Sequence, residues 1–355
     1  MFSDCYRNRR VLLTGHTGFK GSWLALWLQT LGAEIIGLSL PPEMAPSHWD
    51  LLKLNCKSYN TDIRDQAAVQ KIVTDTKPEI VFHMAAQSLV RRSYRQPLET
   101  WSTNVMGTAH LLESCRQTGS AKAIVVITTD KCYENTESQQ GYKETDRLGG
   151  HDPYSASKAS TELVSASYRD AYFSDGSGPL LATARAGNVI GGGDWSEDRI
   201  IPDLVRAQEK SEPLIIRSPN AIRPWQHVLE PLAGYLQLGQ SLLEGHKSNA
   251  SAWNFGPPED HALSVSSLLT RIQECWPSLN WQTDPAPNLH ETTTLKLNSD
   301  KARAQLSWHP ILSLDQQLKM TVEWYRAWYE TRNVTSRAQL DLYINEARRA
   351  GAVWC

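Results

Sequence analysis

The sequence predicts an α/β fold, in which a doubly wound parallel sheet is followed by a smaller, more irregular C-terminal region. Three observations indicate this organisation. Short runs rich in β-branched residues alternate with segments of helical period up to about residue 186, as in βαβ units. A glycine-rich turn joins the first of these runs to the first helical segment. Beyond residue 186 the alternation gives way to shorter elements interrupted by glycine and proline.

The individual elements are predicted from hydrophobic period and from the residues that end each segment. The first helix repeats apolar residues at helical spacing and is followed by Gly32, which suits a C-terminal cap. The predicted strands are Val11–Thr14, Ile35–Leu38, Ile80–His83, Ile124–Thr128, Leu181–Arg185 and, as a sixth that returns to the sheet, Trp253–Phe255. The predicted helices are Phe19–Leu31, Leu98–Arg116, Tyr154–Phe173 and, as a charged and solvated end, Ser336–Ala350.

Composition and charge argue against several classes of function. The 36 basic and 38 acidic side chains are mixed along the chain, so no nucleic acid held by phosphate neutralisation is expected. The six cysteines form no CxxC pair and no Cys/His cluster at metal-ligand spacing, which predicts reduced thiols and no metal site. No apolar run approaches the roughly 20 residues of a membrane span, which predicts a soluble cytoplasmic protein.

Three glycines mark the turn between the first strand and the first helix. Gly15, Gly18 and Gly21 lie in the string GHTGFKG, directly after the strand and at the start of the helix. Glycine permits a tight turn and a close backbone approach, while the helix N-terminus offers N–H groups and a positive dipole end to a pyrophosphate. In this context the string predicts a dinucleotide-binding, Rossmann-type domain over residues 1–186.

The end of the second predicted strand lacks a residue that dinucleotide-binding enzymes commonly have. An Asp or Glu usually stands there and binds the adenosine ribose, whereas the segment 37–40 reads Gly-Leu-Ser-Leu. No basic cluster follows this strand to hold a 2′-phosphate, which favours NAD over NADP. Arg64 is the residue that would change this prediction.

A tyrosine and a lysine in the string DPYSASKAS form the candidate chemical centre. Tyr154 and Lys158 are four residues apart, so a helix places them on one face, and Asp152 and Pro153 suit its first turn. An ammonium beside a phenol stabilises the phenolate, and lowering the pKa of a tyrosine by about 3 requires about 4 kcal/mol. Tyr154 is therefore predicted to act as a base near neutral pH.

Together, the glycine loop and the YxxxK pair resemble the extended short-chain dehydrogenase/reductase family, over the whole chain. Each glycine stands three positions after the previous one, as in that family rather than in ordinary Rossmann enzymes. The strings TDIRD and HMAAQ resemble its adenine-contacting segment and the loop that runs along the cofactor. The resemblance implies that NAD binds Gly15, Thr17, Gly18, Phe19, Gly21, Asp62, Ile63, Ala85, Gln87, Tyr154 and Lys158.

Within this family, the string TTDK at residues 128–131 resembles the nucleotide-sugar 4,6-dehydratases, in the branch that acts on CDP-glucose. Epimerases and simple reductases have Ser or Thr here without an adjacent acid. The resemblance implies that Asp130 protonates the departing C6 hydroxyl, that Lys131 removes the C5 proton and that Thr129 binds the C4 oxygen. With Tyr154 and Lys158, these residues would convert CDP-glucose to CDP-4-keto-6-deoxyglucose and water.

Three strings after residue 184 resemble the substrate region of the same branch. They are ARAGNVIGGGDW, EDRIIPD and RPWQHVLEPLAGY. The resemblance implies that Asn188, Arg199 and Arg223 bind a nucleotide sugar, the arginines through bidentate contacts with its diphosphate. Residues 187–355 are therefore expected to bind mainly the nucleotide sugar. Trp225 suits either packing or a wall of the site, and His227 is predicted to be a hydrogen-bonded structural residue.

Several alternatives stay open at the level of the sequence. The nucleotide base rests on resemblance, and dTDP or GDP sugars are the nearest alternatives to CDP-glucose. A nucleotide-sugar 4-epimerase shares everything except the acid–lysine pair of TTDK, and a non-catalytic NAD-sensing regulator commonly loses the Tyr or Lys that this chain retains. The family usually dimerises through the helices predicted over Leu98–Arg116 and Tyr154–Phe173, which predicts a homodimer.

Overall fold

The computed structural model describes residues 1–136, 138, 140–284 and 295–355. Its strands in chain order are β1 (Arg10–Thr14), β2 (Glu34–Ser39), β3 (Lys57–Asn60), β4 (Ile80–His83), β5 (Ala123–Ile127), β6 (Leu180–Ala186), β7 (Val189–Ile190), β8 (Leu214–Ile216), β9 (Ile222–Pro224), β10 (Gln226–His227), β11 (Ala252–Phe255), β12 (Ala262–Ser264) and β13 (Trp281–Thr283). Its α-helices are α1 (Phe19–Thr30), α2 (His48–Leu52), α3 (Gln66–Thr76), α4 (Val90–Arg95), α5 (Pro97–Trp101), α6 (Gly107–Thr118), α7 (Pro153–Tyr172), α8 (Ile200–Glu209), α9 (Leu229–Leu243), α10 (Val265–Cys275), α11 (Asp300–Leu306), α12 (Leu314–Thr331) and α13 (Ser336–Arg349).

A parallel sheet organises the molecule. Among the described residues it has seven strands, in the order β11-β6-β5-β4-β1-β2-β3. The chain starts in the middle, where β1 pairs in parallel with β2 on one side and with β4 on the other. This reversal of strand order is the point at which doubly wound sheets bind their ligands. The predicted fold class is confirmed.

The six predicted strands are all present, and the sheet contains one more. β3 pairs with β2 at the edge of the sheet, in the register Ile36 opposite Lys57. Its sequence is KSYN and its side chains are mostly exposed. Because an exposed edge strand carries neither a buried run nor a clear alternation, hydrophobic period did not reveal it.

The core lies on both faces of the sheet. Along β1, Val11 and Leu13 face a cluster that includes α1 and α9, whereas Leu12 faces a cluster that includes α3 and α6. Parallel sheets are buried on both faces in this way, so their strands read as continuous apolar runs. The loops that reach the functional site therefore follow the carboxyl ends of strands that are buried on both faces of the sheet.

Two long helical segments cover one face of the sheet, as predicted. The segment predicted over Leu98–Arg116 consists of α5, a π-helical turn at Ser102–Met106, and α6. In α7 the side chain of Asp152 accepts a hydrogen bond from the Ser155 amide at 2.9 Å, and proline occupies the first turn. The cap and the proline fix where α7 begins, and hence where the tyrosine that follows is placed.

The predicted C-terminal helix is present as α13, but the prediction that it is a solvated end was wrong. In α13, four apolar residues at positions i, i+3, i+4 and i+7 are buried, namely Leu340, Tyr343, Ile344 and Ala347. The Tyr343 hydroxyl donates to Glu230 Oε2 in α9 at 2.9 Å. Composition alone did not reveal this apolar stripe, because many charged residues lie on the outer face of α13.

None of the helices in the described ranges is long and apolar enough to cross a bilayer. In the same ranges, no group of three or more His, Cys, Asp or Glu side chains is arranged to hold a metal ion. All six cysteines are free thiols, and of these Cys115 and Cys132 are fully buried.

Candidate active site

One cleft runs along the carboxyl ends of the central strands. It is lined by residues that follow β1, β4, β5 and β6, among them Gly15, Ala85, Thr129 and Asn188. Its volume of about 2320 Å³ exceeds the roughly 300–1,000 Å³ of a site for one drug-sized ligand. All of the cofactor, catalytic and substrate residues predicted from the sequence line this one cleft. The cleft therefore has room for two ligands side by side.

The glycine loop forms the wall of the cleft next to β1. Gly15 has a φ of +72°, and a Cβ on it would lie 2.7 Å from the Ala85 backbone nitrogen. A Cβ on Gly21 would lie 2.1 Å from the Gly15 carbonyl oxygen. Gly18 differs, because a Cβ there would meet the same oxygen at an ordinary 3.4 Å. Two of the glycines are thus needed for the loop itself, and Gly18 leaves space towards the cleft.

Helix α1 begins at the cleft with exposed N–H groups. Gly18 is its N-cap, and no side chain of the described residues caps that end. The Thr17 hydroxyl lies 2.7 Å from the Ser39 hydroxyl and donates to the Leu40 carbonyl at 2.9 Å, which joins the loop to the end of β2. The N–H groups of the first turn are therefore open to an anion such as a pyrophosphate.

The predicted adenine-binding residues lie after β3. The Arg64 guanidinium contacts the Asp62 carboxylate at 2.6 Å, and this hydrogen bond holds the pKa of Asp62 below its usual value. Ile63 is buried and packs so closely against α6 that a Cβ on Gly107 would lie 2.6 Å from it. Arg64 is therefore engaged by a carboxylate.

The loop after β4 is fixed by an asparagine that the sequence reasoning missed. The Gln87 backbone N–H donates to Asn104 Oδ1 at 2.9 Å, and Asn104 Nδ2 donates to the Gln87 backbone carbonyl at 3.0 Å. Asn104 Nδ2 also donates to Ser157 Oγ in α7 at 2.8 Å. This buried amide joins the cofactor loop to the helix that carries Tyr154, and nothing in its local sequence distinguishes it from a solvated helical asparagine.

The acid and the lysine of the string TTDK lie together at the end of β5. Thr129 caps a short turn over Asp130–Cys132, and its hydroxyl donates to Asp130 Oδ1 at 2.9 Å. Asp130 is only 1% exposed, and Lys131 Nζ lies 3.5 Å from the same Oδ1 atom. The segment Thr129–Lys131, which we call the reacting segment, thus combines a buried carboxylate, an ammonium and a hydroxyl.

Tyr154 and Lys158 face the reacting segment from α7, but their electrostatics differ from the sequence-based prediction. Burial raises the pKa of Tyr154 to about 12, although the Thr129 hydroxyl lowers it in part. Burial also lowers the pKa of Lys158 to about 8, and its Nζ donates to the Ile127 carbonyl at 2.9 Å. The predicted lowering of the phenol pKa is therefore not produced by the protein alone, because burial disfavours the phenolate.

The predicted substrate residues line the opposite end of the cleft. Asn188 follows β6, and Arg223 lies in β9, where it pairs with Leu263 of β12. Arg199 precedes α8, and its Nη1 lies 3.2 Å from Asp194 Oδ2. Asp194 is buried, so it is a fixed anchor for this arginine that the sequence reasoning also missed.

Trp225 and His227, which belong to the predicted substrate string RPWQHVLEPLAGY, lie in different surroundings. Trp225 is buried, lines the cleft and donates from its indole nitrogen to the Leu263 carbonyl at 3.3 Å. His227 is fully buried, and burial lowers its pKa to about 3. Its Nδ1 accepts from the Leu229 amide at 3.4 Å, and its Nε2 has no partner among the described residues. Trp225 both packs and forms a wall, and His227 is a neutral residue beneath the site.

The residues of the cleft lie within the part of the chain that matches a known protein family. Residues 12–321, which include every part of the cleft discussed above, match the family model described as GDP-mannose 4,6 dehydratase. The chain belongs to this family. The membership confirms the resemblance on which the roles of the reacting segment were based.

Two relatives of the GDP-mannose 4,6 dehydratase family illustrate the degree of similarity. The chain is 46% identical to a CDP-glucose 4,6-dehydratase of Salmonella typhimurium, over 97% of this chain and 98% of that protein. It is 26% identical to a dTDP-glucose 4,6-dehydratase of the same organism, over 90% of this chain and 93% of that one. Both alignments span the cofactor and substrate ends of the cleft.

Solved structures share the fold at lower identity. A UDP-glucose 4-epimerase of Thermotoga maritima superimposes with a TM-score of 0.79 at 24% identity, over 90% of this chain and 99% of that one. DesIV, a dTDP-glucose 4,6-dehydratase of Streptomyces venezuelae, superimposes with a TM-score of 0.76 at 23% identity, over 91% and 98%. Epimerase and dehydratase fit almost equally well, so the fold alone does not distinguish the two reactions.

A further residue of this family member lines the cleft and was not predicted. Lys20 lines the cleft, and burial, followed by the nearby charge of Arg199, lowers its pKa to about 7. Its Nζ lies 6.0 Å from the centre of the Tyr235 ring, whose buried hydroxyl has no partner among the described residues. A charged residue inside GHTGFKG, on an otherwise buried helix, was the signal that could have revealed Lys20.

Proposed function

We propose that this chain is a CDP-glucose 4,6-dehydratase, which converts CDP-glucose to CDP-4-keto-6-deoxyglucose and water with NAD as its cofactor. The observation that carries the proposal is the pairing of a buried Asp130 with Lys131, 3.5 Å apart and next to Tyr154. Elimination of water needs an acid and a base at adjacent carbon atoms, which a 4-epimerase does not need. The 46% identity to a dehydratase of this specificity, over almost the whole chain, supports the choice of substrate.

The residues next to β1 fit a dinucleotide. The uncapped first turn of α1 and the space beside Gly18 suit a pyrophosphate, which the glycine loop would hold. Asp62 and Ile63 would lie against the adenine, and Gln87 would lie along the cofactor. Because Asp62 already engages Arg64, a 2′-phosphate would have to compete with a carboxylate, which favours NAD. NAD, when bound, would supply the oxidation at C4 and the reduction at C6.

Tyr154 and Thr129 act on the C4 hydroxyl in this proposal. Tyr154 removes its proton, and the Thr129 hydroxyl binds the same oxygen. Lys158 uses one of its three donors on the Ile127 carbonyl, which leaves two for ligand groups and keeps its charge on the helix face of Tyr154. Since burial raises the pKa of Tyr154 to about 12 even though the Thr129 hydroxyl and the charge of Arg199 lower it in part, further positive charge, such as that of the NAD ring, would have to stabilise the phenolate.

Asp130 and Lys131 carry the elimination. A ketone at C4 acidifies C5, so that the Lys131 amine can take the C5 proton while Asp130 gives a proton to the C6 oxygen. The C5–H and C6–O bonds break, a C5–C6 double bond forms, and water leaves. This step ends with an ammonium beside a carboxylate, on two side chains that lie 3.5 Å apart. Reduction at C6 is completed by a proton at C5, which solvent supplies. Transfer of the proton on Lys131 to Asp130 and loss of the Tyr154 proton to solvent then restore the amine, the acid and the phenolate for the next cycle.

The charge of the cleft suits a nucleoside diphosphate sugar. Lys20 lies within electrostatic reach of Lys131, Lys158 and Arg199, while the nearby carboxylates are those of Asp130 and Asp194. The lining of the cleft as a whole carries as many acidic as basic side chains, so this local group of cations is what would attract a diphosphate, and arginines bind it through paired hydrogen bonds. Arg199 and Arg223 would bind the diphosphate and Asn188 the sugar, so that residues 187–355 supply most of the contacts to the nucleotide sugar and residues 1–186 those to NAD.

We further propose that the protein is a homodimer through α5, α6 and α7. Large apolar side chains are exposed along these helices, and Leu98 is 82% exposed. The others are Trp101, Met106, Leu163 and Tyr172. Several large apolar side chains exposed on neighbouring helices support an association site. Sedimentation of the purified chain at micromolar concentration should give twice the monomer mass, and a monomer would contradict the proposal.

The activity is tested by mixing the purified protein with CDP-glucose and NAD, and measuring the ultraviolet absorbance of a 4-keto sugar in alkali. Parallel reactions contain dTDP-glucose, UDP-glucose and GDP-mannose at the same concentration. We expect a product that has lost one water from CDP-glucose, formed faster than from the other three sugars. A product of unchanged mass with an inverted C4 would identify a 4-epimerase instead, and no product from any sugar would identify a binding protein.

A further inference from the structure

A buried ion pair lies directly beneath the reacting segment. Glu162 in α7 and Arg185 in β6 are 2.8 Å apart, from Oε2 to Nη2, and both side chains are 3% exposed. Burial alone would raise the pKa of Glu162, but the Arg185 guanidinium and the hydrogen bonds around it lower it overall, so both residues are charged. Removing two charges from water is costly unless further hydrogen bonds satisfy them.

Those further hydrogen bonds lead to the reacting segment from two sides. On one side, Thr128 Oγ1 donates to Glu162 Oε1 at 2.5 Å. On the other, Arg185 Nη1 donates to the Tyr133 hydroxyl at 2.6 Å, and that hydroxyl donates to Asn254 Oδ1 at 2.8 Å. The guanidinium carbon also lies 4.9 Å from the centre of the Tyr133 ring.

The two anchors bracket the residues that would react. Thr128 immediately precedes the reacting segment, and Tyr133 follows it after one intervening residue. We propose that the Glu162–Arg185 pair is a positioning pair, which fixes both ends of the reacting segment and thereby the placing of its acid and its base. This inference rests on the dehydratase function proposed above.

The reacting segment needs such support because the hydrogen bonds that its backbone amides donate within the turn are long. The Cys132 amide reaches the Thr129 carbonyl at 3.4 Å, and the Tyr133 amide reaches the Asp130 carbonyl at 3.4 Å. The Lys131 amide reaches Thr129 Oγ1 at 3.3 Å. All three exceed the usual 2.7–3.2 Å for such bonds, so the turn is weakly held from within. A misplacement of about 1 Å can cost about a hundredfold in rate, which makes external anchoring consequential.

The pair acts by geometry rather than by adding charge to the site. Glu162 and Arg185 together contribute no net charge beside Asp130 and Lys131. A second threonine, Thr183 in β6, also donates to Glu162, at 2.6 Å to Oε2. Thr183 is equally buried but lies within a strand that carries none of the reacting groups. It therefore provides a matched control for Thr128.

The test compares Thr128→Val with Thr183→Val in the full-length protein. Each variant replaces a buried hydroxyl by a methyl group and removes one hydrogen bond to the same carboxylate, so their thermal stabilities should fall by similar amounts. We expect Thr128→Val to lower kcat for CDP-glucose at least about tenfold with KM within about twofold of wild type, because the nucleotide contacts lie elsewhere. Thr183→Val should stay within about threefold in kcat, and Thr128→Ser, which keeps the donor, should stay near wild type.

Equal losses of kcat in the two valine variants would overturn the inference, since the ion pair would then be only structural. Unchanged kcat in Thr128→Val, or a change confined to KM, would also overturn it. If Thr128→Val is insoluble, Thr128→Ala replaces it with the same expectations. A wild-type protein that is inert towards CDP-glucose would overturn the proposed function, and this inference with it.

Discussion

The two ends of the cleft are built from different materials. At the cofactor end, backbone atoms and small residues form the site, in loops that directly follow strands of the central sheet, as Gly15 and Gly18 follow β1. At the substrate end, charged side chains form it, and they are carried by short strands and loops, as Arg199 is held by the buried Asp194. A site formed by backbone geometry can be recognised in the sequence from the spacing of its glycines. A functional side chain on a loop has almost no such sequence pattern.

The reacting segment lies between these two ends and depends on both. It follows β5 of the sheet, yet its acid and base are side chains whose roles follow from family resemblance rather than from spacing. Disturbing the chemistry should therefore leave the cofactor end intact, and disturbing the cofactor end should leave the chemical groups in place. The following experiments test this separation, starting from the largest expected effect.

Tyr154→Phe should abolish most of the chemistry, whereas NAD binding should survive. The variant keeps the ring in α7 but removes the proposed base, and such a loss costs about 10²–10⁴-fold in rate. Steady-state turnover of CDP-glucose and fluorescence titration with NAD measure the two effects separately. Tyr168→Phe, the same change on the same helix near Glu113 and away from the cleft, should be fully active. Near-normal turnover by Tyr154→Phe would contradict the assignment.

Asp130→Asn and Lys131→Ala should stop the reaction between its two halves. Oxidation at C4 remains possible because Tyr154 is intact, but the elimination loses its acid or its base, at a cost of about 10²–10⁴-fold. In a single turnover with CDP-glucose, the absorbance of NADH should therefore rise and persist, whereas in the wild type it should be transient. Dehydration at the wild-type rate by both variants would remove the reacting segment from the mechanism.

Gly18→Ala and Gly21→Ala should separate binding from folding at the cofactor end. A Cβ on Gly18 has ordinary space within the chain, so this variant should fold normally but bind NAD about tenfold or more weakly, because the methyl group meets the pyrophosphate. A Cβ on Gly21 would lie 2.1 Å from a carbonyl oxygen, so that variant should lose about 1–3 kcal/mol of stability. Calorimetric NAD titration and thermal unfolding measure these effects, and unchanged NAD affinity in Gly18→Ala would show that the loop is not the cradle.

Glu230→Gln should change how stability depends on pH, through the anchor of the C-terminal helix. Burial raises the pKa of Glu230 from 4.5 to about 7, so its contribution is complete below pH 4.5 and is lost as the pH rises through 7. Relative to the variant, the wild type should lose about 3 kcal/mol of unfolding free energy over that interval. Urea unfolding at both pH values measures this, and Glu244→Gln at the exposed end of α9 serves as the control. Parallel pH profiles for wild type and Glu230→Gln would contradict the account.

The contrast between the two ends also explains what could be predicted from the sequence. The strands of the sheet and the loop from Gly15 to Gly21 were predictable, because buried parallel strands and a βα turn restrict both composition and spacing. The edge strand β3 and the burial of helix α13 were not, because an exposed edge lacks a pattern and a charged outer face conceals an apolar stripe. Residues that act through distant partners, such as Asn104 and Asp194, depend on tertiary contacts that no local signal records.

The central claim is that one hydrogen travels from C4 to C6 of the sugar while Lys131 and Asp130 break the C5–H and C6–O bonds, which forms a C5–C6 double bond. CDP-glucose carrying deuterium at C4 tests it directly, in a reaction with unlabelled NAD analysed by mass spectrometry and NMR. We expect a product that has lost water, retains the deuterium at C6 and carries a solvent hydrogen at C5. Deuterium returned to C4 without loss of water would identify an epimerase, and deuterium released in NADH would identify an ordinary dehydrogenase. Either result would contradict the role assigned to the reacting segment.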